Sequence, residues 1–285
     1  MPQVEHRGVT IAFEEHGGEH GREGGGEQSQ RLPIVLGHSF LCSGEMWREQ
    51  LPALAGDYRV VNVDFRGHGR SSQLDEPFTL YDAVADVIAV LDELGIQQAV
   101  WCGLSIGGMV ALRAALEHPE RVAGLILFDT DAGPETLAHK LKYRAMGACA
   151  RRFGLRPLLP SVARLMFAAT TRRENPALVD EWKQRFADIH VPSALLGLDA
   201  LIKRDSLLER LAEIEVPSLV IVGEEDRSLP VPFSQRIHER LPGSSLEIIP
   251  GAGHLSALEQ PARVNEVIRE FLAAQATSAD DGRDA

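Results

Sequence analysis

Gly103-Leu104-Ser105-Ile106-Gly107 is a G-x-S-x-G pentapeptide that follows an apolar run from Ala99 and precedes a helical run to His118. On a tight strand-to-helix turn, a side chain at either flanking position would collide with neighbouring backbone, so the glycines mark a serine held at the tip of such a turn. A serine hydroxyl is a weak nucleophile at neutral pH. It needs a positioned base, and the base needs a partner that fixes its tautomer and stabilises the imidazolium. The pattern predicts that the acid comes next in the chain and the histidine last. Of the ten histidines, His254 is the best placed, in Gly251-Ala252-Gly253-His254 between the final strand and the final helix. Asp226 is the preferred acid. It closes Gly223-Glu224-Glu225-Asp226 after a strand ending at Val222, at the strand-end edge where ligands of open α/β sheets collect. Glu224 and Glu225, beside it, and Asp129, at the end of an earlier strand, are its rivals.

Attack by such a serine on a carbonyl makes a tetrahedral oxyanion, which preorganised backbone N–H groups would stabilise. The amide of Ile106 is one expected donor, directly after the serine and at the positive end of its helix. The second is expected from Gly37-His38-Ser39-Phe40, with Phe40 preferred and Ser39 as the alternative. Asp64-Phe65-Arg66-Gly67-His68-Gly69-Arg70-Ser71 is a further glycine-dependent turn after a strand, with no phosphate-binding pattern.

The elements that must position these residues are short apolar runs at Leu32 to Leu36, Tyr58 to Val63, Ala99 to Leu104, Val122 to Phe128, Ser218 to Val222 and Leu246 to Ile249. Helical stretches separate them, at about Gly44 to Ala55, Leu80 to Leu94, Ser105 to His118, Pro230 to Leu241 and Gln260 to Ala273. Strands apolar on both faces and alternating with helices predict an α/β fold with a mostly parallel, doubly wound sheet. Alternation at Val9, Ile11 and Phe13 adds an edge hairpin. The alternation of strand and helix breaks once, from Asp131 to Ala212, where helical segments cut by Pro134, Pro157, Pro160, Pro176 and Pro192 predict an inserted helical lid. The expected organisation is a core over 1–130 and 213–275, the lid over 131–212 and a flexible tail over 276–285. Gly17 to Gln30, Gly- and Glu-rich, reads as a surface loop.

A chain of 285 residues, 44% of them apolar, can bury a sizeable core. A formal charge of -12 argues against nucleic acid, whose binding draws on clustered Lys and Arg, and favours a small-molecule substrate. No secretory leader or stretch of membrane-spanning length is visible, so a cytoplasmic protein with no membrane partner is expected. Cys42, Cys102 and Cys149 show neither a disulfide pattern nor zinc-ligand spacing, so neither a disulfide framework nor a metal site is expected, and the serine chemistry above calls for no cofactor.

Taken together, His38-Ser39-Phe40, the Asp64 to Ser71 segment, Gly103 to Gly108, Gly223 to Asp226 and Gly253-His254 resemble the α/β-hydrolase superfamily, in its order, from about Val9 to Ala273. Cys102 to Met109 and His254 to Pro261 look like the 3-oxoadipate enol-lactonase group and its esterase relatives. The resemblance implies a serine carboxylesterase or lactonase acting through an acyl-enzyme on Ser105. Carbon–carbon bond hydrolases and cofactor-free perhydrolases share the same three residues, and a non-catalytic ligand receptor shares the fold. The family more often has His-Gly where this chain has His38-Ser39. Fourteen Lys/Arg against nine Asp/Glu between Asp131 and Ala212 give the lid a net +5, which suggests a carboxylate-bearing substrate drawn to basic residues facing the pocket.

Overall fold

The computed structural model describes the backbone of residues 2–17 and 31–281, with side chains to 276. The expected loop from residue 18 to 30 and the end of the tail, 282–285, lie outside the described residues. In chain order the core opens with β1 (Gln3–His6), β2 (Val9–His16), β3 (Ile34–Gly37), α1 (Leu51–Leu54), β4 (Val60–Val63), α2 (Leu80–Glu93), β5 (Ala99–Leu104), α3 (Ile106–Glu117) and β6 (Val122–Phe128). Five helices follow without a strand: α4 (Leu137–Phe153), α5 (Leu159–Met166), α6 (Ala169–Glu174), α7 (Pro176–Ala187) and α8 (Val191–Lys203). The chain then returns through β7 (Ser218–Gly223), α9 (Val231–His238), β8 (Ser245–Ile249), α10 (Ser256–Glu259) and α11 (Pro261–Asp281).

The eight strands form one sheet in the order β1-β2-β4-β3-β5-β6-β7-β8. β1 and β2 pair antiparallel, β2 joins β4 antiparallel, and every later pairing is parallel. Side chains alternate between two cores, as a pleated strand requires. Trp101, Leu125 and Leu127 face the core shared with α2 and α3, while Val100, Cys102, Ile126 and Phe128 face the one shared with α11. That second core continues into the inserted helices through Ala150, Val162, Phe167, Trp182 and Phe186.

Two boundaries differ from the sequence expectation. The stretch from Gly44 to Ala55 is a 3₁₀ turn, Gly44–Trp47, followed by the single turn of α1. Pro52 has no N–H to donate and cannot extend a continuous helix backwards. At the other end α11 runs to Asp281, past the expected stop at Ala273, so the backbone of the first tail residues is helical. In the insertion, Pro160, Pro176 and Pro192 each occupy one of the first two helical positions, where a missing N–H costs nothing. No helix among the described residues is long and apolar enough to cross a membrane.

Candidate active site

The parallel pairing gathers the site residues at one edge. Gly37 pairs with Gly103, Leu104 with Phe128 and Gly223 with Ile249, so the segments after β3, β5, β6, β7 and β8 all leave the sheet on its C-terminal side. Ser105 leaves β5 with φ 57° and ψ -110°, a backbone conformation that costs on the order of 1–3 kcal/mol in a non-glycine residue. The surroundings hold it there. Its amide donates to Phe128 O at 2.8 Å, and its carbonyl accepts from Thr130 Oγ1 at 2.7 Å and from Met109 N at 3.0 Å. A Cβ on Gly103 would strike the backbone of Gly107, and one on Gly107 would strike the Gly37 carbonyl. Both flanking glycines are therefore needed for the approach of β3, β5 and α3.

His254 and Asp226 meet 28 positions apart, the ring Nδ1 donating to Asp226 Oδ2 at 2.8 Å with both side chains buried. That bond leaves Nε2 as the nitrogen available to a reacting group. Asp226 Oδ1 accepts from the amides of Ser228 and Leu229 at 2.7 and 3.0 Å, so the carboxylate is fixed by its own loop. Burial draws the imidazole's pKa down, but the charge and hydrogen bond of Asp226, together with Asp129 and Glu259, lift it above the ordinary histidine value.

The rival acids are placed otherwise. Asp129, wholly buried, accepts from the Gly223 amide at 2.7 Å and from Ser256 Oγ at 2.5 Å. Burial and the neighbouring Asp226 hold its carboxyl well above the usual range. Glu225 bonds Thr170, and Glu224 accepts from the Gly251 amide.

Of the two candidate amides after β3, that of Ser39 already donates to Met46 Sδ at 3.1 Å. The amides of Phe40 and Ile106 have no protein acceptor among the described residues. His38, considered at the sequence level only as the neighbour of these donors, orients one of them. Its Nδ1–H donates to Ser39 O at 2.8 Å, while its Nε2 accepts from the Phe65 amide at 2.9 Å. Carbonyl and N–H of a trans peptide point in opposite directions, so holding Ser39 C=O fixes the direction of the Phe40 N–H. Burial and the adjacent His68 depress the pKa of His38, which keeps the ring neutral with its proton on Nδ1. The Asp64 to Ser71 turn supplies the Phe65 amide. It is tied by Asp64, which accepts from the Gly44 and Arg70 amides at 2.7 and 3.0 Å.

A second residue missed at the sequence level is Glu259, nearly buried. It accepts from the Gly253 amide at 2.9 Å and the Leu255 amide at 3.3 Å, on either side of His254, and from the Ala168 amide at 2.8 Å in the insertion. The one signal for it in the sequence is an acid set between apolar Leu258 and the Gln260-Pro261 helix start. Burial pushes its carboxyl up to about 7 against the downward pull of those donors.

Ser39, Phe40, Ser105 and His254 line one cavity, whose remaining wall is largely the insertion. Comparisons with known proteins place the fold. The profile of the Alpha/beta hydrolase family matches residues 34–267. The 3-oxoadipate enol-lactonase 2 of Acinetobacter baylyi is 30% identical over 245 residues, covering 86% of this chain and 90% of that protein. Among solved structures, a thermophilic esterase from Thermogutta terrifontis with malate bound is similar with a TM-score of 0.87 at 28% identity, covering 96% of this chain and 99% of that one. The enol-lactonase from Burkholderia xenovorans LB400 has a TM-score of 0.86 at 26% identity, over 95% and 100% of the two chains.

Proposed function

The chain belongs to the alpha/beta hydrolase family, and from that premise we propose that it is a serine hydrolase cleaving small carboxylic esters or lactones through an acyl-enzyme on Ser105. The observation that carries the reading is the buried His254–Asp226 bond of 2.8 Å on the wall of the cavity that Ser105 also lines.

In this mechanism His254 Nε2 takes the Ser105 proton as Oγ attacks the acyl carbon, and Asp226 stabilises the imidazolium that forms. The oxyanion is received by the amides of Phe40 and Ile106. Collapse breaks the acyl–oxygen bond, and the departing alkoxide takes its proton from His254. A water molecule then attacks the acyl-enzyme with His254 again as base, releasing the acid and restoring the Ser105 hydroxyl. No step calls on a metal or cofactor. Residues 131–212 act as the lid over a core made of 1–130 and 213–275, a role supported by how much of the cavity wall they supply.

Turnover of p-nitrophenyl acetate and butyrate tests the reading, with a serine-directed phosphonate used to label the nucleophile. The label is expected on the peptide containing Ser105, and activity is expected to vanish in Ser105→Ala. Undiminished hydrolysis by that variant would reject the mechanism.

A further inference from the structure

The insertion's positive charge suggested an anionic substrate, and the cavity runs against that expectation. Of the Lys and Arg between 131 and 212, Arg204 alone lines the cavity. Its guanidinium is already held: Nε donates to Gly133 O at 2.9 Å, Nη1 to Glu135 Oε2 and Leu201 O at 2.9 Å each, and Nη2 to Asp131 Oδ2 at 3.3 Å. Glu135, on the same wall, is held by Arg204 and by His139 Nδ1 at 3.0 Å. Burial raises the Tyr143 hydroxyl pKa, keeping that group neutral as well. Most of what remains is aliphatic or thioether surface. A carboxylate brought there would lose its hydration with no unpaired Lys or Arg to replace it.

The shape of the wall adds a second constraint. Gly147, Ala150, Val191, Leu195 and Leu198 line both this cavity and a second groove at the α4–α8 seam. Side chains at this seam therefore bound both spaces. A Cβ on Gly147 would stand 3.2 Å from Leu195 Cδ2 and 3.4 Å from Leu198 Cδ2, so a larger side chain there must displace these leucines or project from the seam into the space beside it.

Building on the serine-hydrolase reading, we propose that the substrate is a neutral ester or lactone with an extended apolar acyl chain lying along the α4–α8 seam, where Gly147 sets the room available. The acyl part is assigned to this apolar space because it stays on Ser105 while the alcohol leaves and water enters.

The test compares p-nitrophenyl acetate, hexanoate and decanoate with mono-p-nitrophenyl adipate, which is the hexanoate chain ending in a carboxylate. Each buried methylene is worth roughly fourfold in affinity, so kcat/KM for hexanoate should exceed that for acetate by at least about 10-fold. The adipate ester should trail hexanoate by about 100-fold or more. In Gly147→Leu the hexanoate-to-acetate ratio should fall to within about threefold of unity. In Leu198→Ala the preference should move towards decanoate, which keeps the test decisive if the first variant does not fold. Binding is read separately in Ser105→Ala by calorimetry, with hexananilide expected to bind at least about 100-fold tighter than the mono-anilide of adipic acid. Equal turnover or binding of the neutral and anionic chains would overturn the proposal, as would a length preference that neither seam variant alters. Tight hexananilide binding with no ester turnover would instead remove the hydrolase reading and leave the pocket assignment standing.

Discussion

Ser105, His254 and Asp226 have separable roles in the proposed mechanism. Ser105→Ala should lower kcat by roughly 10⁴-fold or more, because removing the attacking oxygen leaves only binding and oxyanion stabilisation. Asp226→Asn should cost somewhat less than that but still orders of magnitude, since the amide favours the wrong imidazole tautomer. Asp129→Asn should cost less than about 10-fold. An amide there can still accept from Gly223 and pair with Ser256, and burial already disfavours the charge it would remove. Kinetics of the two acid variants side by side check the assignment, and a larger loss in Asp129→Asn would reverse it. The pH profile follows from the lifted pKa of His254. The base must be neutral to accept a proton, so kcat/KM should rise with pH through an inflection above the ordinary value of about 6.5. Asp226 is the leading attraction holding the proton on, so in Asp226→Asn the titration of the ring, followed by NMR, should move downward.

Between elements, the decisive contact is the one between the turn carrying His254 and the segment from Met166 to Ala168. The Leu255 amide donates to Met166 O at 3.1 Å, and Glu259 ties both sides together through the Gly253 and Ala168 amides. Glu259→Ala would leave buried backbone donors unpaired, each costing about 1–3 kcal/mol unless water replaces the carboxylate. We expect a lower Tm by differential scanning fluorimetry together with a fall in kcat of about 10-fold or more, because the turn that aims the imidazole loses its fastening. A variant that melts earlier with kcat unchanged would show that Glu259 contributes to stability alone.

For the whole molecule, the core on the α11 side of the sheet runs without a break into the insertion, with Phe186 and Trp182 among its largest buried side chains. Phe186→Ala should therefore destabilise the entire chain by about 3–5 kcal/mol and leave a single unfolding transition, with loss of activity and of near-UV circular dichroism coinciding. Two separated transitions would mean that the insertion melts on its own. The parallel sheet and the strand-end placement of Ser105, Asp226 and His254 are legible in the sequence because each depends on a local signal: an apolar run, a glycine-flanked turn or an acid just past a strand. His38, Glu259 and the Asp129–Ser256 pair are not, because their roles rest on hydrogen bonds spanning 27, 91 and 127 positions. The charge of the insertion does not say by itself what faces the cavity, since composition does not show which way a helix turns its arginines, and of the insertion's Lys and Arg only Arg204 lines that cavity. The seam of α4 and α8 belongs to one continuous stretch of chain, whereas the proposed nucleophile, acid and base sit on loops anchored in the sheet. On the proposed reading, replacing residues along that seam would redirect substrate preference while the proposed reaction apparatus stays intact, which would make it the natural place for descendants of this protein to diverge and for an engineer to begin.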